Sequence, residues 1–406
     1  MEADGKVGFH FYQKEGKSMM GTVYPSEKRV YKDKKSGAVI TQLTSKGINY
    51  HFYFTENSFD LDGKTIYFLS NRGNEGTEIC NLFQMNLESG EIIQLTDDPE
   101  GVEVGRITKT PDSEYIAYIT GRQLRLYNTK TGTNRLLYEE KTMLMHNLSF
   151  SCDKKWIGFT RDEDVDALPD GEPNYAGFKE KMFATKEGRI AMIDLEGGHF
   201  HDVFRDTHWL GHFQFSPDNP DIAMFCHEGP WNYVQQRIWI INMKSGEIWP
   251  CFRQKEDDCV DHEFWARNGD IIFDNRRGGH DGTISNTKTQ VYGSENISTE
   301  TPYFGFAHKD GKVYRQIDMP YYCNHYFANG DLSLFVGDAV EDIVLIRPGE
   351  NGEAQIKVLA EHNTTWHYQR SHCHPTFSWD GKKLLYAADT DRWHDNLFLV
   401  DVPESF

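Results

Sequence analysis

The chain has 406 residues, 38% of them hydrophobic and 26% charged, with a formal net charge of −19. That length and composition make a folded, core-bearing protein and exclude a disordered one. The acidic balance argues against nucleic acid and anionic membranes as partners. It leaves open a small anionic ligand in a local cationic pocket, because exposed charges are screened beyond about 8 Å at physiological salt.

The N-terminal residues Met1-Glu2-Ala3-Asp4-Gly5 are polar and lack the apolar stretch of a signal peptide, so a cytoplasmic location is expected. No run approaches the length of a membrane span. Seven cysteines are scattered, odd in number and without a C-x-x-C pair, which fits a reducing compartment and excludes zinc-finger or thioredoxin-like sites. Aromatic residues reach 14% and glycines number 35, a mixture suited to short strands and tight turns. Nothing in the sequence sets an oligomeric state.

From Phe59 onward a unit recurs. Its clearest copy runs Phe59-Asp60-Leu61-Asp62-Gly63-Lys64-Thr65-Ile66-Tyr67-Phe68-Leu69, continues Asn81-Leu82-Phe83-Gln84-Met85-Asn86-Leu87, turns at Glu88-Ser89-Gly90 and ends Glu91-Ile92-Ile93-Gln94-Leu95-Thr96. The runs alternate as strands do. Further copies start near Lys109, Phe150, Phe215, Trp265, Phe327 and Phe377. Four-stranded units at this period predict an all-β fold, a seven-bladed β-propeller with antiparallel blades. The last copy has only three runs, so residues 37–44 are expected to supply its outer strand and close the ring. The whole of 1–406 then reads as a single propeller domain with an extension at 1–36. Insertions at 161–188 and 278–301 interrupt the third and fifth copies between second and third strands, on the expected binding face.

His262, His325 and His374 each stand just ahead of the innermost strand of a blade, with His212 and His146 in similar places. In antiparallel blades those starts share one face with the loops between second and third strands. Arg237, Arg276 and Arg277 follow or occupy two of those loops, so all of these residues should surround one mouth of the central channel. In Gln369-Arg370-Ser371-His372-Cys373-His374, the His-x-His spacing lets two imidazoles point the same way on an extended segment. His325, Gln369, His372 and His374 therefore form a candidate metal site. Its ligands are neutral, so a divalent ion would keep its full charge for a substrate carboxylate. Zinc, nickel, iron and manganese all suit nitrogen ligands, and spacing does not choose among them. His227 and Glu228 lie on the same face and shape the pocket or hold Arg237 or His262. Arg276, Arg277 and Arg370 are candidates for bidentate contacts to further carboxylates. No G-x-S-x-G, Walker or dinucleotide fingerprint is present.

Several segments resemble one family in order and spacing: Trp209-Leu210-Gly211-His212, Phe225-Cys226-His227-Glu228-Gly229-Pro230, Arg237-Ile238-Trp239, His262-Glu263-Phe264-Trp265, Gln369-x-x-His372-x-His374-Pro375 and Asp401-Val402-Pro403-Glu404-Ser405. The likeness, from about Tyr24 to the end, is to oligogalacturonate lyases. It implies a seven-bladed propeller that splits short uronate oligosaccharides by β-elimination with bound manganese. It also implies His325, Gln369, His372 and His374 as metal ligands, His262 as the base and Arg237 assisting at the reacting sugar. His212, His227, Arg276, Arg277 and Arg370 complete the expected substrate contacts. The 278–301 insertion is longer than the family pattern and Arg370 stands where an uncharged residue is expected. These departures bear on the choice of sugar. Two alternatives remain at this stage: a lyase for another uronide, such as a rhamnogalacturonan fragment, and a non-catalytic propeller that binds proteins or glycans.

Overall fold

β-Branched and aromatic runs such as Thr65–Ser70 and Tyr115–Thr120 are buried along almost their whole length and form the second strands of their sheets. Turns rich in Gly, Asn and Asp separate the runs. At Glu88-Ser89-Gly90 the Asn86 carboxamide accepts from the next turn's N–H groups, and Gly90 takes the left-handed conformation at φ 77°. The protein is described here from a computed structural model covering residues 19–165, 177–256, 258–275 and 301–406.

Seven antiparallel sheets are arranged as blades in a ring. The innermost strands are, in order, Asn49–His51, Ile107–Lys109, Met143–Phe150, Leu210–Phe215, Glu263–Trp265, Tyr326–Ala328 and Thr376–Phe377. Six of the seven expected repeat starts fall at or next to the outgoing ends of these strands, and the first, Phe59, lies beyond Asn49–His51. In blade seven Val39–Gln42 pairs with His394–Asp401, Ile40 opposite Val400, so the predicted closing strand is present. The segment ahead of it contributes more than an extension. Arg29–Lys32 adds a fifth strand outside Val39–Gln42, and Val23–Tyr24 adds one to blade one outside Ile92–Gln94.

Between blades the core is aromatic. Phe264, Phe304, Phe306, Tyr326 and Phe335 pack together where blades five and six meet. On the other face of blade five, toward blade four, Gly305 makes room: a Cβ would lie 2.3 Å from the Phe273 ring. Blade one differs from the others. After Asn49–His51 its inner strand leaves the sheet and returns only as a bridge between Phe59 and Ile66. The excursion carries Tyr53 and Phe54 into the mouth of the channel, where they meet histidines from blades four to seven.

Candidate active site

In four successive blades, the histidine at the incoming end of the inner strand meets a carboxylate from the outgoing end of the second strand. The pairs are His146 with Asp162 at 2.9 Å, His212 with Glu228 at 3.6 Å, His262 with Asp274 at 3.5 Å and His325 with Asp338 at 2.8 Å. Antiparallel pairing places these two strand ends side by side.

His325 shows what such a pair achieves. Asp338 accepts both its backbone N–H, at 2.6 Å, and its ring Nδ1–H, at 2.8 Å. That fixes the tautomer and turns Nε2 inward with its lone pair. His325, His372 and His374 are all buried, and one ligand atom from each lies within 4.8 Å of the others. The Nε2 atoms of His325 and His374 are buried with no hydrogen-bond partner. The Asn324 side-chain Nδ2 lies 3.3 Å from His372 Nδ1. Burial, reinforced by His325, holds the His372 and His374 rings well below the usual imidazole pKa. They are neutral, the state a ligand requires. Tyr53 and Phe54 wall the group, 4.8 Å from His374 and 5.2 Å from His325. Buried imidazole nitrogens converging without a partner fit a divalent cation. Gln369, in the one-turn helix Gln369–Ser371, reaches the wall of the adjoining cavity. Replacing Asp338 with asparagine should weaken metal affinity by about 10–100-fold, read by titration of the metal-free protein.

His262 lies against this triad, its ring centre 4.4 Å from that of His325. Its N–H donates to Asp274 Oδ1 at 2.9 Å, and Tyr322 donates to the other carboxylate oxygen at 2.7 Å. Burial and the neighbouring His325 hold its pKa well below the usual value. On the other side stands His212, with ring centres 6.0 Å apart. A bulge in Leu210–Phe215 and a left-handed φ of 48° aim His212 at the channel. Its Nδ1 is 3.0 Å from Glu263. Burial alone would lower its pKa, but Glu263 and Glu228 reverse the shift and raise it. Arg237, just before Ile238–Asn242, is buried against Glu228 at 2.9 Å and Glu263 at 3.7 Å. Burial would raise the Glu228 carboxyl, but Arg237 and His212 bring it down to about 2. His212, Cys226 and Glu228 also cluster closely, but the guanidinium already supplies their cation.

The model of the family described as oligogalacturonate lyase matches residues 19–406. The chain belongs to the oligogalacturonate lyase family. It is 23% identical to the oligogalacturonate lyase of Dickeya dadantii (strain 3937), over 92% of this chain and 96% of that one. The oligogalacturonide lyase of Pectobacterium atrosepticum is also 23% identical, over 95% and 98%. An oligogalacturonate lyase solved in complex with manganese shares the fold at a TM-score of 0.80 and 24% identity, covering 95% of this chain and 99% of that one. The enzyme from Vibrio parahaemolyticus superposes equally well at 22% identity, covering 95% and 100%. The chain is therefore a lyase.

In this lyase a cavity of about 390 Å³ opens beside the histidines, within the range of small-ligand sites. Tyr53, His212, Arg237, Asp261, His262 and Gln369 line one part, and Arg106, His146, Lys181 and Trp209 another. The insertion of blade three contributes directly: its helix, Phe178–Ala184, brings Phe178 and Lys181 to the wall. Of the expected substrate contacts only His212 is on that wall among the described residues. His227 stacks on His208 at 4.1 Å and faces Asp206 at 3.2 Å, off the cavity. Arg370 lies over Tyr368 and binds Asp395 at 3.2 Å and the Arg392 carbonyl at 2.9 Å. Arg276 and Arg277, with most of the 278–301 insertion, lie outside the described residues. Glu228 was expected to hold Arg237 or His262 and does hold Arg237, but the sequence reading missed the partners Asp162, Glu263, Asp274 and Asp338, as well as Tyr53, Arg106 and Lys181. An acidic residue ending the second run was the available signal for Asp162, Asp274 and Asp338.

Proposed function

We propose that the protein cleaves short uronate oligosaccharides, oligogalacturonides, by β-elimination with manganese as its metal. The observation that carries this reading is the meeting of three buried imidazoles with a fourth, His262, which lines the adjoining cavity. His325, His372 and His374, with Gln369, would hold the metal. When bound, a divalent cation there neutralises the substrate carboxylate and the negative charge that grows on it as the C5 proton leaves.

The chain's own residues do the rest. His262 is kept neutral by its buried setting and takes the C5 proton, a role that typically contributes about 10²–10⁴-fold. Asp274 holds its backbone in place. Arg237 brings a fixed positive charge and N–H donors to the reacting sugar, its orientation set by Glu228 and Glu263. Arg106 and Lys181 give the blade two and three side of the cavity cations for a second uronate. Asp162 steadies Lys181 at 3.1 Å.

The test is the ultraviolet absorbance of the conjugated 4,5-unsaturated product on adding digalacturonate or trigalacturonate. It should rise, vanish with EDTA and return with Mn²⁺. His262→Ala should lower kcat by about 10²–10⁴-fold while retaining bound metal. Silence with galacturonides but a rise with another uronide would reassign the substrate, and silence with all would remove the activity.

A further inference from the structure

Breaking the C4–O bond leaves an oxygen that needs a proton, and His262 is occupied in taking one. Resting on the elimination reading above, we propose that His212 is the general acid that protonates the leaving O4. It stands on the cavity wall beside His262, and its ring is tilted only 26° from that of the base across the 6.0 Å between their centres. Two groups so placed can straddle adjacent carbons, one receiving hydrogen from C5 and the other giving hydrogen to the oxygen on C4.

The surroundings of His212 suit it to the task. Around His212 stand Glu263 at the head of blade five's inner strand, Glu228 and Cys226 on blade four's second strand, Arg237, His262 and Tyr53. The two carboxylates outweigh the burial and the guanidinium, so His212 holds its proton more firmly than an ordinary imidazole. A proton-bearing group held beside the base on one cavity wall is the arrangement an acid–base pair needs. Nδ1 faces the Glu263 carboxylate at 3.0 Å, so Nε2 is the atom that delivers. Its distance of 3.6 Å from Glu228 is too long for a hydrogen bond, so the Nε2 proton is not committed there.

The step balances. The C5–H electron pair becomes the C4=C5 double bond as its proton passes to His262. The C4–O pair leaves with the oxygen, which takes the Nε2 proton of His212 and becomes the new hydroxyl. The turnover ends with His262 protonated and His212 neutral, and one proton exchanged through solvent restores both. The left-handed backbone at His212 is in keeping with a side chain held for a task, since such conformations persist where the surroundings enforce them.

The test compares two leaving groups. A galacturonide oligomer needs a proton on O4, whereas a 4-deoxy-4-fluoro uronide expels fluoride and needs none. His212→Gln should lower kcat on the oligomer by about 100-fold or more, and lower it far less on the fluoro substrate. His262→Ala should suppress both. In the wild type, kcat on the oligomer should fall as pH rises through the His212 pKa, and this alkaline limb should be missing with the fluoro substrate. That second measurement stands even if the variant does not fold. Equal losses on both substrates, no loss on either, or the same alkaline limb with both would overturn the assignment. A wild type inactive on every uronide would instead sink the elimination reading on which it rests.

Discussion

His374→Ala should lose both its metal and its turnover. The ring supplies one of three converging nitrogens, and its Nε2 has no other partner. Two imidazoles and an amide remain, too few to fix a cation against water. Metal stabilisation of a developing carboxylate charge is worth several kcal/mol, and each 1.36 kcal/mol is tenfold in rate, so kcat should fall by about 10³-fold or more. Metal content after gel filtration, measured beside the rate, separates this variant from His262→Ala, which loses rate alone. A His374→Ala protein that kept stoichiometric manganese and near wild-type turnover would refute the ligand assignment.

Arg237→Met should be the most destabilising change at the site. The guanidinium is buried with Glu228 and Glu263, and both carboxylates are buried too. Removing one partner of a buried pair leaves an uncompensated charge and costs about 3–5 kcal/mol, to be read as a lower urea midpoint. Pairing Arg237→Met with Glu228→Gln should recover part of the loss, since the two share one interaction. The pH dependence has a definite sign. The Glu228 pKa is depressed from 4.5 to about 2, so its contribution is complete above 4.5 and is lost as pH falls toward 2. The stability gap between wild type and Arg237→Met should therefore narrow as the solution is acidified below pH 4.5. A variant as stable as the wild type at neutral pH would show that the acids do not depend on the arginine.

The blades were legible in the sequence because alternation and Gly or Asp turns are local signals, repeated seven times. The gathering of His262, His325 and His374 was legible because it follows from topology: inner strands of antiparallel blades begin on one face. The carboxylates behind those rings were not. Asp274 and Asp338 end apolar runs, where an aspartate reads equally well as turn chemistry. Tyr53 and Phe54 were hidden because their segment leaves the sheet between two short stretches of blade one. His227 and Arg370 sit inside the right motifs but answer to residues distant in sequence or on a neighbouring strand, Asp206 and His208 for one, Asp395 for the other. Spacing along a chain does not reveal such competition for a charged group. The strands Val23–Tyr24 and Arg29–Lys32 are short, and their six residues include only one that is not exposed, Tyr24, so neither carries a strand-like pattern.

The N-terminal strands have a mechanical consequence for catalysis. They bind the outer edges of the first and last blades, and the junction of those two blades runs beside the reaction centre. His51 of blade one contacts the Cys373 carbonyl at 3.1 Å, next to His374, and Asn49 donates to the Asp395 carbonyl at 3.0 Å. Residues 23–42 thus act as a clasp for the circle. Unfastening it would let the first blade swing from the seventh and draw Tyr53 away from His374, so the enzyme's grip on its own circumference and its readiness to react are held by one fastening.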